Sequence, residues 1–426
     1  MRLRSQKEHL NSNSWLEKPV MADLISASVH ARRAVVLAPF FSLVGPSRPR
    51  DVAEALAKLM PVDILTTDFD HSRKARREPL QSEEFAQIIY MKTPPYKTNV
   101  GMNRLLSHIV FSLCASWYLV RNRRRYDTIY ATAPLNLLLW TAFSCTGTAK
   151  KIMDVVDIWP DALPFSASTR RALAPIFVVW KWLFVSSARK ADIVISGSNV
   201  FLQEAKRYTS KDTQTAQFYI GHDSLNYSVP KEPLFTLAYV GNLGHLYDFE
   251  TLLDVLSEED LIGRMQLFVI GVGDRQDWLL HELSRRDIPH RFYGVVLDRD
   301  RLGSILCSCH AGFNGYVRTN ASFSYKATTY LAARLPLVNS MRGDLQQLID
   351  TYDLGENYEA GVREQLRGAL LRLSRRDHGV MASSCRQFFE ANLESSRVRG
   401  EIVRYLAKNL GFIVPEMDSA KDLAHV

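Results

Sequence analysis

Two segments in the second half of the chain carry residue types suited to binding a phosphate. An apolar strand pattern at 237–240 runs into Gly241-Asn242-Leu243-Gly244 and then into a helical pattern. Ser324, Tyr325 and Lys326 precede a second helical pattern, about 80 residues further on. Free backbone N–H groups and the helix dipole favour an anion where a glycine-rich turn meets a helix start. A lysine at the second helix can neutralise a diphosphate, so the spacing predicts a nucleotide bound across one Rossmann-like domain.

An acidic residue in the first half lies where open α/β sheets place their ligands. Asp157 follows the apolar strand pattern at 151–156, and Trp159 comes two residues later. The carboxyl edge of a parallel sheet is the usual ligand crevice, so Asp157 is a candidate for contacting a substrate or stabilising charge in a transition state. An aspartate that caps a turn explains the same pattern equally well. Trp159 fits packing as well as ligand stacking.

Three further side chains are candidates for ligand contacts. They are His71, His222 and Arg318, each in a polar segment between predicted elements. The alternative is ordinary loop residues with no ligand.

Well-known nucleotide and hydrolase motifs are missing from the sequence. Val269 to Asp274 ends a strand with two glycines but lacks the third glycine of the dinucleotide fingerprint. Neither a Walker A loop nor a Gly-x-Ser-x-Gly elbow occurs. These absences exclude P-loop chemistry and disfavour an α/β-hydrolase.

Composition and charge narrow the class of partner. The chain has 426 residues, a formal net charge of +8 and five cysteines. The basic excess fits a solvated surface, an anionic membrane or a phosphate-bearing substrate, and no nucleic-acid motif accompanies it. Scattered cysteines in odd number favour a reducing compartment. Cys307-Ser308-Cys309-His310 lacks a second ligand pair, so we predict no metal and no cofactor.

Two apolar stretches are candidates for membrane contact. Residues 105–120 form an apolar helical pattern followed by Arg121 and Arg123–Arg125, and residues 174–185 form a second with Lys181 between tryptophans. Such helices can lie on an anionic bilayer, but a core-facing helix with cations in its last turn fits equally. We expect no signal peptide, because residues 1–30 lack an apolar core, and no spanning helix.

Strand and helix patterns alternate twice along the chain, with a Pro-containing polar linker at 227–233. This alternation predicts an α/β protein with two Rossmann-like doubly wound domains facing a cleft. The expected boundaries are a polar tail at 1–30, an N-terminal domain at 31–228, a C-terminal domain at 229–395, and a helix and tail at 396–426.

Several of these segments, taken in order, resemble one family. The chain is similar to the GT-B glycosyltransferases of bacterial exopolysaccharide and capsule assembly, in the broad family-four group. The resemblance runs from about residue 34 to 410 and rests on Pro39 with Gly45 and Arg48, Ile64–His71 (ILTTDFDH), Tyr96–Val100 with Arg104 and His108, Asp154–Asp161 (DVVDIWPD), Phe218–Asp223, Gly241–Gly244 and Tyr325–Asp344.

The resemblance implies a nucleotide-diphospho-sugar donor in the C-terminal domain and an acceptor in the N-terminal domain. It implies diphosphate contacts from main-chain donors and basic side chains, without a metal. The implied diphosphate residues are Gly45, Gly241, Asn242, Gly244, Arg318 and Lys326. The implied nucleoside residues are Val295, Tyr325, Thr329 and Tyr330, and the implied acceptor or sugar contacts are His71, Trp159 and His222 beside a catalytic Asp157.

The chain departs from the family at one functional pair. Two glutamates usually stand where Ala321 and Thr329 stand here. Asn242 and His245 also occupy positions where the family usually has basic residues. These differences leave open whether transfer retains or inverts the sugar configuration.

We therefore expect a glycosyltransferase that moves a sugar from a UDP- or GDP-sugar to a lipid-linked oligosaccharide or polysaccharide precursor. It would act without a metal, in the cytoplasm, on the inner face of the plasma membrane and against its anionic surface, with no nucleic-acid partner. The alternatives are a sugar-nucleotide epimerase on the same fold and a non-catalytic scaffold with that fold. An epimerase needs acid–base groups around the sugar carbon, and the sequence shows no clear cluster of them in the second half.

Overall fold

A computed structural model describes residues 32–41, 47–71, 74–77, 85–97, 101–159, 167–319 and 321–413. Gly45, predicted at the diphosphate, lies outside these ranges.

The first half of the chain forms a seven-stranded parallel sheet. Its strands are β1 (Ala34–Leu37), β2 (Val62–Thr67), β5 (Ala86–Met91), β6 (Thr128–Ala133), β7 (Lys150–Val155), β8 (Ile193–Ser196) and β9 (Gln214–Gln217), in the order β5-β2-β1-β6-β7-β8-β9. A small antiparallel pair, β3 (Phe69–Asp70) and β4 (Ala75–Arg76), follows β2. The interior strand β1 is wholly buried, as expected for a parallel strand covered on both faces.

Helices cover both faces of this sheet. They are α1 (Arg48–Ala57), α2 (Met102–Arg121), α3 (Asn136–Cys145), α4 (Ala167–Ala172), α5 (Ala174–Lys190) and α6 (Asn199–Lys206). Two core clusters, one on each side of the sheet, hold its inward side chains.

The second half repeats the design with a six-stranded parallel sheet. Its strands are β10 (Phe235–Val240), β11 (Met265–Ile270), β12 (His290–Gly294), β13 (Ala311–Asn314), β14 (Leu337–Asn339) and β15 (Gly355–Asn357), in the order β12-β11-β10-β13-β14-β15. The helices are α7 (Phe249–Leu256), α8 (Gln276–Arg285), α9 (Arg299–Ser308), α10 (Tyr325–Ala332), α11 (Asp344–Tyr352), α12 (Arg363–Arg375), α13 (His378–Asn392) and α14 (Ser395–Leu410). The predicted pair of doubly wound α/β domains is confirmed.

The last helix returns to the first domain. Val398, Ile402 and Leu406 of α14 are buried in one cluster with Val52 and Leu56 of α1. The end of the chain thereby becomes part of the N-terminal core, so the two domains are joined by two chain crossings, one near residue 222 and one near residue 394. A backbone bridge between His222 and Glu394 ties these crossings together.

A second contact between the domains holds their facing edges together. The N-terminus of α6 donates from the Asn199 N–H to Asp344 Oδ2 over 2.6 Å, and Gln217 Nε2 reaches the same oxygen at 3.2 Å. The hydroxyls of Ser198 and Ser322 are hydrogen-bonded next to it. A carboxylate at a helix N-terminus is stabilised by the dipole, so Asp344 fixes the C-terminal domain against α6.

Among the described residues, no helix is both long and apolar enough to cross a membrane.

Truncating the returning helix in its core should destabilise the whole protein. We expect Leu406→Ala, at a fully buried position, to lower the free energy of unfolding by about 2–5 kcal/mol through lost burial and a new cavity. Urea unfolding measures the change, with Lys408→Ala on the exposed face of the same helix as control. Equal stability of the two variants would show that α14 does not belong to the N-terminal core.

Candidate functional site

Two glycine turns lie side by side at the carboxyl edge of the second sheet. Gly241, after β10, donates its N–H to Ile270 O at 2.9 Å, and Leu243 donates to Val272 O at 3.0 Å. Gly271, after β11, has φ +130, and a Cβ there would meet Gly241 O at 1.9 Å. Only glycine permits so close a backbone approach. These two turns therefore present their backbone to a ligand, and we call them the glycine floor.

Lys326 lies directly beneath that floor. A Cβ added to Gly241 would come within 2.8 Å of Lys326 Cε. The ammonium Nζ lies 3.3 Å from the ring centroid of Tyr247, with Tyr239 at 4.8 Å and Tyr316 at 4.9 Å. We call these three rings the tyrosine cage. Lys326 is only 8% exposed, and its Nζ has no hydrogen-bond partner within the described part of the chain.

Burial dominates the electrostatics of this lysine. Desolvation lowers the pKa of Lys326 to about 6, because the charged form loses its water. Ring quadrupoles attract a cation but do not replace a counter-ion. A buried cation without an anion is unfavourable, so the position is suited to a ligand that brings negative charge.

The start of α10 is held by a chain of buried polar side chains. Ser324 caps the helix by accepting from the Ala327 N–H and donates to Asn314 Oδ1 at 2.8 Å. Asn314 donates to Asn339, and Asn339 to Asn357, across three neighbouring strands. This ladder fixes the helix that carries Lys326.

The other residues predicted on α10 have different surroundings. Tyr330 is fully buried, accepts from the Val240 N–H and donates to Phe313 O, so its ring has no free face for a nucleoside and its role is packing. The Thr329 hydroxyl donates to Tyr325 O at 3.0 Å. Tyr325 is 43% exposed and lines a cavity of the other domain. The predicted nucleoside set is therefore not brought together on this helix.

The remaining predicted donor residues follow strands of the second sheet. Asn242 is exposed, and a Cβ at the buried Gly244 would meet Asn242 Nδ2 at 2.7 Å. Val295 is 57% exposed after β12, whose last residue, Gly294, accepts from the Gly271 N–H. Arg318 is exposed on the loop after β13.

A cavity of about 360 Å³ opens at the carboxyl edge of the first sheet. Its wall combines Phe40, Arg104, His108, Asp157 and Trp159 from the N-terminal domain with Tyr325 from the C-terminal domain. The structure therefore brings Asp157 and Trp159 together, and it places the cavity where the domains face each other.

Asp157 is oriented by two donors. The Trp159 Nε1–H donates to Asp157 Oδ2 at 2.9 Å, and the Ile158 N–H donates to Oδ1 at 2.8 Å. Burial raises the pKa of Asp157, while these two hydrogen bonds act in the opposite sense. The carboxylate thus has a fixed direction and remains able to accept a further hydrogen bond from a ligand.

A buried ion pair supports the cavity floor. Arg48 Nε donates to both oxygens of Asp154 at 3.2 and 3.0 Å, and its Nη1 donates to Phe218 O. Tyr130 also donates to Asp154, at 2.7 Å. Sequence reasoning named Arg48 and Asp154 only as motif members, because their pairing across 106 residues has no local signal.

Four basic groups lie together beside the cavity. We call His71, Lys74, Arg104 and His108 the cationic cluster. Lys74 Nζ is 3.3 Å from His71 Nδ1, which also lies 2.7 Å from the Tyr96 hydroxyl. His71 had been predicted at the site, and the structure adds the other three.

His222 is placed at a domain crossing instead of a ligand cavity. Its N–H donates to Leu393 O at 2.9 Å, and its carbonyl accepts from the Ser395 N–H. The backbone of His222 therefore joins the two crossings, and its ring bonds the neighbouring Asp223 carbonyl.

Among the described residues no group of three or more His, Cys, Asp and Glu side chains could hold a metal ion. His310, in the Cys-x-Cys-His segment, accepts from the Thr236 N–H at 3.0 Å.

Comparisons with known proteins bear on the fold. No protein-family profile and no curated protein matches the sequence. Solved structures do match over nearly the whole chain. Sucrose-phosphate synthase from Thermosynechococcus elongatus is 15% identical, with a TM-score of 0.69 over 89% of this chain and 99% of that chain.

Two more solved structures have the same arrangement. Anabaena HepE in complex with UDP and glucose is 14% identical, with a TM-score of 0.64 over 88% of this chain and 100% of that chain. WaaG, a glycosyltransferase involved in lipopolysaccharide biosynthesis, is 12% identical, with a TM-score of 0.61 over 88% and 99%. The chain therefore has the GT-B fold, as the resemblance implied.

Replacing Lys326 with an apolar side chain should stabilise the protein. The unfolded chain binds a proton at Lys326 up to a pKa of about 10.4, but the folded chain only to about 6, so the folded state loses stability as pH falls through that range. We expect Lys326→Met to raise the free energy of unfolding near pH 7 by about 2 kcal/mol. The gain should shrink as pH rises towards 10.

Urea unfolding at several pH values tests this expectation. Lys408→Met, on an exposed face, provides the matched control and should change little. A Lys326→Met variant less stable than wild type near pH 7 would mean that the cation is structural and that no anion is needed there.

Proposed function

We propose that this protein is a glycosyltransferase that uses a nucleotide-diphospho-sugar donor. The observation that carries the proposal is Lys326, a buried amine without a hydrogen-bond partner in the described structure, directly under a glycine floor. A diphosphate on this floor would supply the missing negative charge. HepE, one of the similar structures, is in complex with UDP and glucose, which is consistent with such a donor.

The leaving group would be stabilised by fixed charges and dipoles. As the bond between sugar and diphosphate breaks, negative charge grows on the leaving diphosphate, and a preorganised cation lowers the energy of that state. Gly241 and Gly244 let the backbone come close, and Lys326 supplies the charge. Asn242 lies beside Gly244 in the same floor, Arg318 is exposed on the loop after β13, and Val295 directly follows β12, where the base would bind.

The sugar acceptor would bind in the N-terminal cavity. Tyr325 lines that cavity and is adjacent in sequence to Lys326, so one helix start links donor charge and acceptor site. Asp157 would accept a hydrogen bond from the acceptor hydroxyl and align it, and Trp159 would flank the sugar. A positioned carboxylate of raised pKa suits this task.

The missing glutamates favour one alternative. Ala321, in the loop before α10, packs against the cores of both domains, and the Thr329 hydroxyl on α10 donates to Tyr325 O, so neither position offers a carboxylate. A non-catalytic scaffold with the same fold would show this loss. The scaffold and an epimerase are therefore distinguished from a transferase by product analysis.

We propose further that the protein works against an anionic membrane, on the cytoplasmic face, with a lipid-linked acceptor. α3 packs between α2 and α5, as the Ser116–Thr141 hydrogen bond and the contact between the Trp140 and Trp182 rings show. Exposed apolar side chains on α2 and α5, here named the α2–α5 apolar surface, are Met102, Leu106, Leu113, Trp117, Val120, Ile176, Val178, Val179 and Trp182. Apolar residues beside arginines suit a headgroup interface.

Fewer arginines at the end of α2 are available to lipid phosphates than the sequence indicates. Arg125 pairs with the buried Asp63 at 2.8 Å, so its charge is committed to the protein. Arg121 lies 4.7 Å from the Trp117 ring, and Arg123 and Arg124 are exposed. These three remain as candidates for lipid phosphates.

Nucleotide binding tests the donor proposal. We expect one of UDP, GDP, CDP and dTDP to raise the melting temperature of wild type, because a ligand that binds only the folded state stabilises it. Lys326→Met should lose this response while staying folded. Consumption of the matching nucleotide sugar only when acceptor is present would identify a transferase. Donor conversion without acceptor would indicate an epimerase, and neither reaction a scaffold.

Asp157 provides a test of the acceptor site. Asp157→Asn keeps the size but removes the charge, and we expect kcat to fall by about 100-fold with nucleotide affinity unchanged. Steady-state transfer kinetics and nucleotide calorimetry measure the two effects, with the exposed Asp212→Asn as control. An unchanged kcat would show that Asp157 only caps a turn.

Vesicle flotation tests the membrane proposal. Replacing Trp117 and Val179 with Ser should weaken binding to anionic vesicles at least about tenfold, because their exposed apolar area would no longer be buried in lipid. Val380→Ser, 59% exposed on α13, is the control. Equal binding of both variants would remove the α2–α5 apolar surface from consideration.

A further inference from the structure

The cationic cluster concentrates basic groups that disfavour one another's charge. The ring centroid of Phe40 lies 5.0 Å from that of His71 and 5.4 Å from that of His108, and the Arg104 guanidinium is 5.6 Å from it. The Arg104 guanidinium is also 5.7 Å from the Trp159 ring centroid, and His108 stacks on that ring at 6.3 Å. His71, Arg104 and His108 thus pack around the Phe40 and Trp159 rings, and Arg104 and His108 line the N-terminal cavity itself.

His108 is incompletely satisfied. It is 6% exposed and lines the cavity, and its Nε2 has no hydrogen-bond partner among the residues the structure describes. A buried imidazole nitrogen without a partner costs free energy unless a ligand completes it. This polar atom is an independent sign that something polar binds at the wall formed by Arg104 and His108.

The local charges indicate the sign of that ligand. Desolvation, then Arg104 and His71, lower the pKa of His108 to about 3, and desolvation with Lys74 and Arg104 lowers the pKa of His71 to about 4. Asp70 acts in the opposite sense and is the weakest of the four effects on His71. The Asp157 carboxylate already accepts from Trp159 and Ile158. An anion would relieve the repulsion within the cluster.

We infer that the acceptor carries a phosphoryl group, bound by Arg104 and His108 at the wall of the N-terminal cavity with His71 and Lys74 behind them. The inference rests on the proposed glycosyltransferase function and adds the chemical class of its acceptor. Arginine forks and imidazoles suit phosphate oxygens, whereas a neutral sugar would bring no negative charge to these basic side chains. The aromatic rings of Phe40 and Trp159 would flank the attached group.

The same helix connects this phosphate site to the α2–α5 apolar surface. Arg104 and His108 are four residues apart, so they share the cavity side of α2, while Leu106, Leu113 and Trp117 are exposed on its other side. A phosphate at the end of a lipid would reach the cluster from a bilayer covering that surface. A soluble sugar phosphate offers the same phosphoryl group without the lipid.

Matched pairs of probes test the inference on the full-length protein. Calorimetry compares glucose 6-phosphate with glucose, and vesicle binding compares phosphatidylcholine containing a polyprenyl phosphate with phosphatidylcholine containing the polyprenol. We expect the phosphorylated member of at least one pair to bind better, and Arg104→Gln to weaken that binding at least about tenfold. The pair that responds identifies a soluble or a lipid acceptor.

Two further variants distinguish the loss of a phosphate contact from a loss of folding. Arg104→Lys keeps the charge and should retain more affinity than Arg104→Gln, and Arg386→Gln, exposed on α13, should change nothing. Equal binding of phosphorylated and unphosphorylated probes, or equal binding by wild type and Arg104→Gln, would overturn the inference. The nucleotide response is read separately on the same samples. If wild type shows no response to nucleotide, the proposed donor site is wrong. If wild type responds to nucleotide but does not prefer the phosphorylated probes, only the inference about the acceptor fails.

Discussion

A buried amine without a counter-charge is the interaction on which the rest of this account depends. Lys326 is removed from water and surrounded by the tyrosine cage. The glycine floor above it lies so close that a side chain at Gly241 would collide with the lysine. Protein interiors do not usually leave a charge unpaired, and binding sites are the common exception. The cost is tolerable here because the amine can release its proton until an anion arrives.

The two-domain architecture places this amine close to the N-terminal cavity. The N-terminus of α10 faces the first domain, so that Lys326 lies under the glycine floor and Tyr325 on the wall of the N-terminal cavity. Asp344 bound to the start of α6, and α14 packed on α1, hold the domains in that relation. Chemistry between two bound substrates needs such mutual orientation, since most of the benefit of proximity is lost when the substrates are misplaced by an ångström.

Much of the fold could be predicted from local pattern, because buried parallel strands are short apolar runs and the turns after them carry glycine. Gly241, Asp157 and Lys326 were found this way, each at a strand end or a helix start. Contacts between distant segments could not be found. The pairing of Arg48 with Asp154, the pairing of Arg125 with Asp63, and the enclosure of Tyr330 depend on tertiary packing that no local pattern records. The cationic cluster joins two separate segments, the turn between β3 and β4 and the start of α2, for the same reason.

Proton uptake on nucleotide binding tests the central claim most directly. Near pH 8 the pKa of about 6 keeps Lys326 neutral in the free protein, and a bound diphosphate would raise that pKa, so binding should take up about one proton. Calorimetry of the stabilising nucleoside diphosphate in two buffers of different ionisation enthalpy measures the number. The account predicts uptake by wild type and none by Lys326→Met. Binding without proton uptake, or the same uptake by both proteins, would show that Lys326 does not hold the diphosphate.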